Sequence, residues 1–254
     1  MTATNQNFPF RGGGNGYVLL TGASSGIGRK TAITLAKRYP LILCGRDEAR
    51  LAETASECMS QGGTAVTWAY DLADIDGIAA SLTDVLSENA IERVYGFVHS
   101  AGMAPIAPLR MLDTAKMQQI MSVNFYSAVE LIQQLLPRGL RRAVLISSIQ
   151  SVRGAKGQGI YCASKGAIDA FVEEMALEEP ELSINSILPG AIPSRMGKEL
   201  EENAALLAHS VDDGYILGLG EPGSIADMAE YLLSEKAAGI SGQHFSVDGG
   251  KTSH

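Results

Sequence analysis

The sequence predicts a single doubly wound α/β domain, a parallel sheet of about seven strands with helices on both faces. Two observations predict it. Short apolar runs alternate with longer segments of helical periodicity along the chain. Several of these runs, such as Leu41-Ile42-Leu43-Cys44, are apolar throughout rather than at every second residue. Strands covered on both faces look like that. The 254 residues allow one or two domains, and no linker, charge block or repeat divides them. The expected organisation is a Gly- and Asn-rich leader over 1–15, then one domain over 16–254 with a substrate lid at about 195–220.

Tyr17 to Leu20 is the first strand. A helical pattern over Ile27 to Tyr39 follows, and Pro40 stops it. Leu41 to Cys44 is a second strand, and Asp47 to Gln61 a helix ended by Gly62-Gly63. Ala65 to Ala69 forms a strand, Asp76 to Glu88 a helix, and Val94 to Val98 a strand. Asp113 caps a long helix reaching about Leu136. Then come a strand over Ala143 to Ile146, a helix over Tyr161 to Glu178 and a strand over Ile184 to Leu188. Ser224 with Asp227 resembles a capping box at a last helix, and Phe245 to Val247 closes the sheet.

Composition narrows the function classes. Lys+Arg 20 against Asp+Glu 28 gives a net charge of −8, which repels nucleic acid and anionic membranes. No apolar run approaches the ~20 residues of a membrane span, and the leader has no signal-peptide core. Cys44, Cys58 and Cys162 are odd in number and far apart, which fits packing in a reducing cytoplasm. His99, His209, His244 and His254 share no ligand spacing, so no metal site is expected.

The motifs fall at carboxyl ends of strands, where doubly wound sheets bind ligands. Thr21-Gly22-Ala23-Ser24-Ser25-Gly26-Ile27-Gly28 links the first strand to the first helix. Gly22 suits the tight turn, Gly26 the close approach of a pyrophosphate, and Gly28 the packing of helix on strand. The helix N-terminus adds free N–H groups, so the loop reads as the dinucleotide cradle of a Rossmann domain. The second strand ends in Gly45-Arg46, where an acid would select NAD. A guanidinium there suits a 2′-phosphate and points to NADP rather than NAD, with Ser24 or Ser25 adding a hydroxyl. The alternative for Arg46 is a pair with Asp47 or Glu48. Asp71, with Leu72 beside it, offers an acceptor for the adenine amino group, or else caps a turn.

Tyr161-Cys162-Ala163-Ser164-Lys165 stacks a phenol and an ammonium on one helix face. Ser148 ends the preceding strand, and alternation turns Ser147 the other way. The ammonium is expected to lower the phenol's pKa from ~10, so that Tyr161 exchanges a proton with a carbonyl oxygen while Ser148 hydrogen-bonds it.

With these motifs and Asn124, the chain resembles the short-chain dehydrogenase/reductase superfamily, in its branch of about 250 residues, over roughly residues 16 to 250. The resemblance implies that Asn124 holds a water in a proton relay to Lys165, and that Lys165 also binds the nicotinamide ribose. Asn185 to Gly190 matches the family's segment after the sixth strand, placing Pro189, Gly190, Ile192 and Ser194 along the nicotinamide. Ser241 to Gly250 matches its usual ending. The family's Asn-Asn-Ala-Gly is here His99-Ser100-Ala101-Gly102. Ser100, Ala101 and Gly102 would line the cofactor, and His99 reads as a hydrogen-bonded strand-end residue rather than a base. Met103 to Pro105 with Gln150 and Ser151 would line the pocket.

The family's enoyl reductases have a wider Tyr–Lys spacing and its epimerase branch a larger C-terminal domain. The expectation is therefore an NADP-dependent carbonyl or 3-oxoacyl reductase acting on a small carbonyl/alcohol substrate. Family helices matching 113–136 and 161–178 pair across two-fold axes, implying a homodimer or homotetramer. Two other readings stay open: a dinucleotide-binding protein without turnover, and a dehydratase or isomerase on the same fold.

Overall fold

The structure, a computed structural model, describes residues 16–192 and 215–253. The expected leader, Ser194 and most of the expected lid lie outside the described residues.

Seven strands form one parallel sheet in the order β3-β2-β1-β4-β5-β6-β7. They are β1 Tyr17–Thr21, β2 Leu41–Gly45, β3 Ala65–Ala69, β4 Val94–His99, β5 Arg142–Ile146, β6 Ser183–Pro189 and β7 His244–Val247. Order reverses between β1 and β4, so the crevice for a ligand opens beyond Thr21 and His99. The described helices, numbered in chain order, are α1 Gly26–Leu35, α2 Glu48–Ser60, α3 Ile78–Glu88, α4 Thr114–Met121, α5 Ser127–Leu135, α6 Gly159–Glu178 and α7 Pro222–Leu233.

Alternation along the buried strands divides the core. Val18 and Leu20 join Leu35 of α1, Leu51 of α2 and Ile225 and Leu232 of α7 on one face. Leu19 and Phe97 join Leu82 of α3, Leu131 of α5 and Ile168 and Val172 of α6 on the other. Apolar strands thus need helices on both sides, as their sequences require.

Three helices depart most from the sequence reading. The first helix ends at Leu35, not Tyr39. Tyr39 is drawn out to stack on Tyr95 at 6.2 Å between centroids, and the following proline disfavours a helical Tyr39. The last helix starts at Pro222 behind Glu221, with no capping side chain, so Ser224 lies inside its first turn. Proline supplies the preset φ at that start. Asp113 does cap the long helix, accepting from the Lys116 amide at 2.7 Å. That helix, however, is interrupted by a π-turn, Ser122–Tyr126, between α4 and α5. Among the described residues no helix is long and apolar enough to cross a membrane.

Candidate active site

The glycine loop is built by close backbone contact. Gly22 and Gly26 have φ of 69° and 54°, which L side chains rarely adopt. A Cβ on Gly28 would lie 2.2 Å from the Gly22 carbonyl oxygen, and one on Gly22 2.7 Å from that of Ser100. Ser25 is the N-cap of α1, yet its side chain caps nothing, and the first turn holds no acid. Its leading N–H groups and positive dipole end are therefore left for an anion. This cradle fits the pyrophosphate of a dinucleotide.

At the end of β2, the Arg46 side chain is 70% exposed, and its Nη1 stands 4.0 Å from an Asp71 carboxylate oxygen. Arg46 thus faces the end of β3 and not Asp47, which pairs with Arg50 at 3.3 Å. Asp71 also caps its own turn, accepting from the Ala73 amide at 3.0 Å, and Leu72 is buried in the core. The floor of Gly45 is tight: a Cβ there would lie 3.3 Å from Leu51 and 3.4 Å from the Ser24 hydroxyl.

Thr21 organises the switch point. Its hydroxyl oxygen accepts from the amides of Ser100 and Ala101, each at 3.2 Å, and lies 3.0 Å from His99 Nδ1. With two donors already on that oxygen, its own proton goes to Nδ1, which leaves the imidazole proton on Nε2. Nε2 is buried, and the Val123 and Asn124 backbone lies close enough to the imidazole to oppose the fall in its pKa. Burial, and then the charge of Lys165, hold His99 down at about 3, so it stays neutral.

Asn124 sits in the π-turn, fully buried. Its Oδ1 accepts from the Met103 amide at 2.8 Å, and its Nδ2 donates to the Met103 carbonyl at 3.0 Å and to Ser164 Oγ at 2.9 Å. The side chain therefore ties the segment after β4 to α6. The π-turn is satisfied locally: the Ser127 amide reaches Ser122 O, and the Ser127 hydroxyl donates to Val123 O at 3.0 Å. Such single π-turns recur at functional sites.

Ser148 follows β5 in an extended conformation, its hydroxyl accepting from the Gln150 amide at 3.2 Å. Ser147 is turned away and donates to the Lys165 carbonyl at 3.2 Å. Tyr161 and Lys165 lie on α6, one turn apart. Lys165 is buried, and its Nζ donates to the Ile146 carbonyl at 2.7 Å. Burial pushes Lys165 down to about 8, opposed by the charge of Asp169.

The phenol departs from the sequence expectation. Burial raises the Tyr161 pKa rather than lowering it, and the facing Ser148 hydroxyl offsets part of the rise. Lys165 does not drive the shift, because its ammonium is turned to Ile146 and lies 5.8 Å from the Tyr161 ring centroid. Gly102 lies close by: a Cβ on it would be 3.6 Å from Asn124 Oδ1 and 3.7 Å from Lys165 Nζ.

Pro189 ends β6, and the Gly190 amide donates to the Val247 carbonyl at 3.2 Å. The Ala191 amide donates to the Tyr215 hydroxyl at 2.9 Å, and Ile192 packs against the core. All the described site residues except the outlying Arg46, Asp71 and Leu72 converge on the ends of β1, β4, β5 and β6. Sequence reasoning missed Thr21, Ser164 and Asp169 as partners. The three cysteines are free, and burial pushes the Cys58 thiol up to about 11. Among the described residues no three His, Cys, Asp or Glu gather as a metal site.

The family model described as "Enoyl-(Acyl carrier protein) reductase" matches residues 22–252. An uncharacterized oxidoreductase, YmfI, of Bacillus subtilis is 32% identical over 93% of this chain and 98% of its own length. The 2-(S)-hydroxypropyl-CoM dehydrogenase 3 of Xanthobacter autotrophicus is 30% identical over 94% of this chain and 97% of its own. A short-chain type dehydrogenase/reductase from Mycobacterium ulcerans superposes with a TM-score of 0.83, at 27% identity, covering 93% of this chain and 90% of that one. Angucycline C-6 ketoreductase LanV, solved with bound NADP, gives a TM-score of 0.82 at 25% identity, covering 93% and 95%. The chain belongs to the short-chain dehydrogenase/reductase family. It is an oxidoreductase of that family.

Proposed function

We propose that the protein interconverts a ketone or aldehyde and an alcohol with NADP(H), Tyr161 serving as general acid and base. The observation that carries this reading is one crevice that gathers the Tyr161 phenol, the Ser148 hydroxyl and the buried Lys165 ammonium beside a glycine cradle. The nicotinamide, when bound, supplies or accepts the hydride. The cradle of Gly22, Gly26 and Gly28 would hold its pyrophosphate, and Arg46 the 2′-phosphate.

In the reducing direction Tyr161 gives its proton to the carbonyl oxygen and Ser148 donates a hydrogen bond to the same oxygen. The Lys165 ammonium, 5.8 Å from the Tyr161 ring centroid, does not set the resting pKa of the phenol but favours the phenolate left behind once the proton has gone. A phenol raised by burial is a reluctant acid in isolation, so proton transfer is coupled to the growing charge on the substrate oxygen. Asn124 acts at one remove, fixing Met103 after β4 and Ser164 on α6 beside Lys165.

The family model's printed description concerns enoyl reduction. The Tyr161-x-x-x-Lys165 spacing favours a carbonyl substrate instead, of the ketone or 3-oxoacyl kind. The LanV ketoreductase with bound NADP supports the choice of cofactor. The reading includes a homodimer or homotetramer paired through the long helices, working in a reducing cytoplasm.

The test is NADPH oxidation followed at 340 nm over a panel of ketones, aldehydes and 3-oxoacyl thioesters. Tyr161→Phe is expected to lower kcat by at least ~100-fold with NADPH binding retained. Turnover unchanged in Tyr161→Phe overturns the mechanism, and no turnover on any carbonyl overturns the reaction.

A further inference from the structure

Lys165 shares its helix face with Asp169, one turn on. The Asp169 carboxylate is buried, and its Oδ2 has no hydrogen-bond partner. Its Oδ1 accepts from the Ser186 hydroxyl at 2.9 Å. Ser186 Oγ in turn lies 2.7 Å from His244 Nδ1, and His244 Nε2 lies 2.9 Å from Glu173 Oε1. The Glu173 side chain is 66% exposed. A continuous line of polar groups, drawn from α6, β6 and β7, therefore joins solvent to the buried carboxylate one turn along α6 from Lys165.

Hydrogen bookkeeping makes this line unusual. With both carboxylates ionised and the imidazole neutral, it holds one hydroxyl hydrogen and one N–H for three contacts. One contact then sets two lone pairs face to face. A single added proton completes all three: His244 donates to Ser186 and Glu173, and Ser186 donates to Asp169. The same proton places a cation 3.8 Å from Asp169 Oδ1.

We propose that Asp169 is a positioning residue for Lys165, and that the line Glu173–His244–Ser186 carries one exchangeable proton that offsets the Asp169 charge. The inference rests on the reading of Lys165 as part of the active site. The charged and titratable groups around Lys165 are Tyr161 and Asp169 on α6 and His99 on β4. Those facing His244 are Asp169 and Glu173, both on α6. Asp169 opposes the burial that pushes Lys165 down, so it favours the ammonium. When the line is empty, Asp169 acts in full. When the line is loaded, the imidazolium offsets it and the ammonium is less favoured.

The test is NMR titration of the full-length protein labelled at lysine Cε, with the Lys165 signal assigned by its loss in Lys165→Arg. The wild-type signal is expected to show its own titration and a second, smaller step as the line loads. Asp169→Asn lowers the Lys165 midpoint by ~1 pH unit, and Asp169→Glu restores it towards wild type. His244→Gln abolishes the smaller step and leaves the main midpoint in place.

A folded Asp169→Asn with the wild-type midpoint overturns the positioning role. A smaller step that persists in His244→Gln overturns the proton line, and this arm decides alone if Asp169→Asn does not fold. These signals need neither substrate nor turnover. Failure of the proposed reaction would show instead as a silent carbonyl panel with the titrations intact.

Discussion

Asn124 Nδ2 donates to Ser164 Oγ at 2.9 Å, which bolts the π-turn to the residue just before Lys165 in the turn that separates it from Tyr161. Ser164 passes the link on, donating to the Tyr161 carbonyl at 2.7 Å. Any shift of the long helix is therefore felt by the helix that carries the candidate acid.

Asn124→Ala removes three hydrogen bonds and strands the Met103 amide and carbonyl. The expected cost is ~2–4 kcal/mol of stability, with Ser164→Ala nearer ~1 kcal/mol. In urea denaturation the double variant should lose less than the sum of the two, because the residues share a bond. Strict additivity would show that the 2.9 Å contact couples nothing.

Two glycines should behave oppositely. Gly28→Ala pushes a methyl to 2.2 Å from a backbone oxygen, so the loop must move. A stability loss of ~1–3 kcal/mol and a collapse of NADPH binding are expected. Gly102→Ala meets neighbours no closer than 3.6 Å. It should fold with near wild-type stability while crowding the space before Lys165. Calorimetric titration with NADPH, set beside thermal melting, separates the two.

Arg46→Ala probes the cofactor. A guanidinium bound to a phosphate contributes ~1.5–3 kcal/mol, so NADPH affinity should fall roughly 10- to 150-fold while NADH affinity changes little. Equal affinity of parent and variant for NADPH would remove the 2′-phosphate from this position.

His99 makes a pH prediction. Its folded value of about 3 lies below the ordinary 6.5. Below 6.5 the unfolded chain takes up a proton that the folded chain refuses. Stability from this site is therefore whole above pH 6.5 and lost as pH falls towards 3, at up to about 1.4 kcal/mol per unit. Denaturation midpoints from pH 7 to 4 should fall less steeply in His99→Asn. Parallel slopes in the two proteins would mean that His99 is protonated within the fold.

The strands and most helix ends were legible because parallel strands are written as unbroken apolar runs and turns as Gly or Pro. The glycine loop, Ser148, Tyr161 and Lys165 were legible because each lies in a local motif. The π-turn was not, since Ser122 to Tyr126 reads as ordinary helix until the Ser127 hydroxyl is seen taking Val123 O. The direction of the Tyr161 shift was misread for a different reason. Spacing along α6 sets how near Lys165 is, but burial and the Ile146 carbonyl decide where its charge points. Ser186 and His244 lie in family-matching segments that give them no role, and Asp169 lies in none. The pairing of β6 with β7 sets Ser186 beside His244, and the packing of α6 on β6 brings Asp169 to Ser186.

The Thr21–His99 bond joins residues 78 apart in sequence, and the Ser186–His244 bond joins residues 58 apart. Neither can close until strands from distant parts of the chain have been ordered, which makes such contacts slow to form. The cradle is encoded near the beginning of the chain yet becomes competent only once β4 lies against β1. A dinucleotide that binds only the finished crevice would draw the folding equilibrium towards it. In a growing chain, ligand-holding ability would therefore arise as a late step in maturation rather than when Gly22 to Gly28 first emerge.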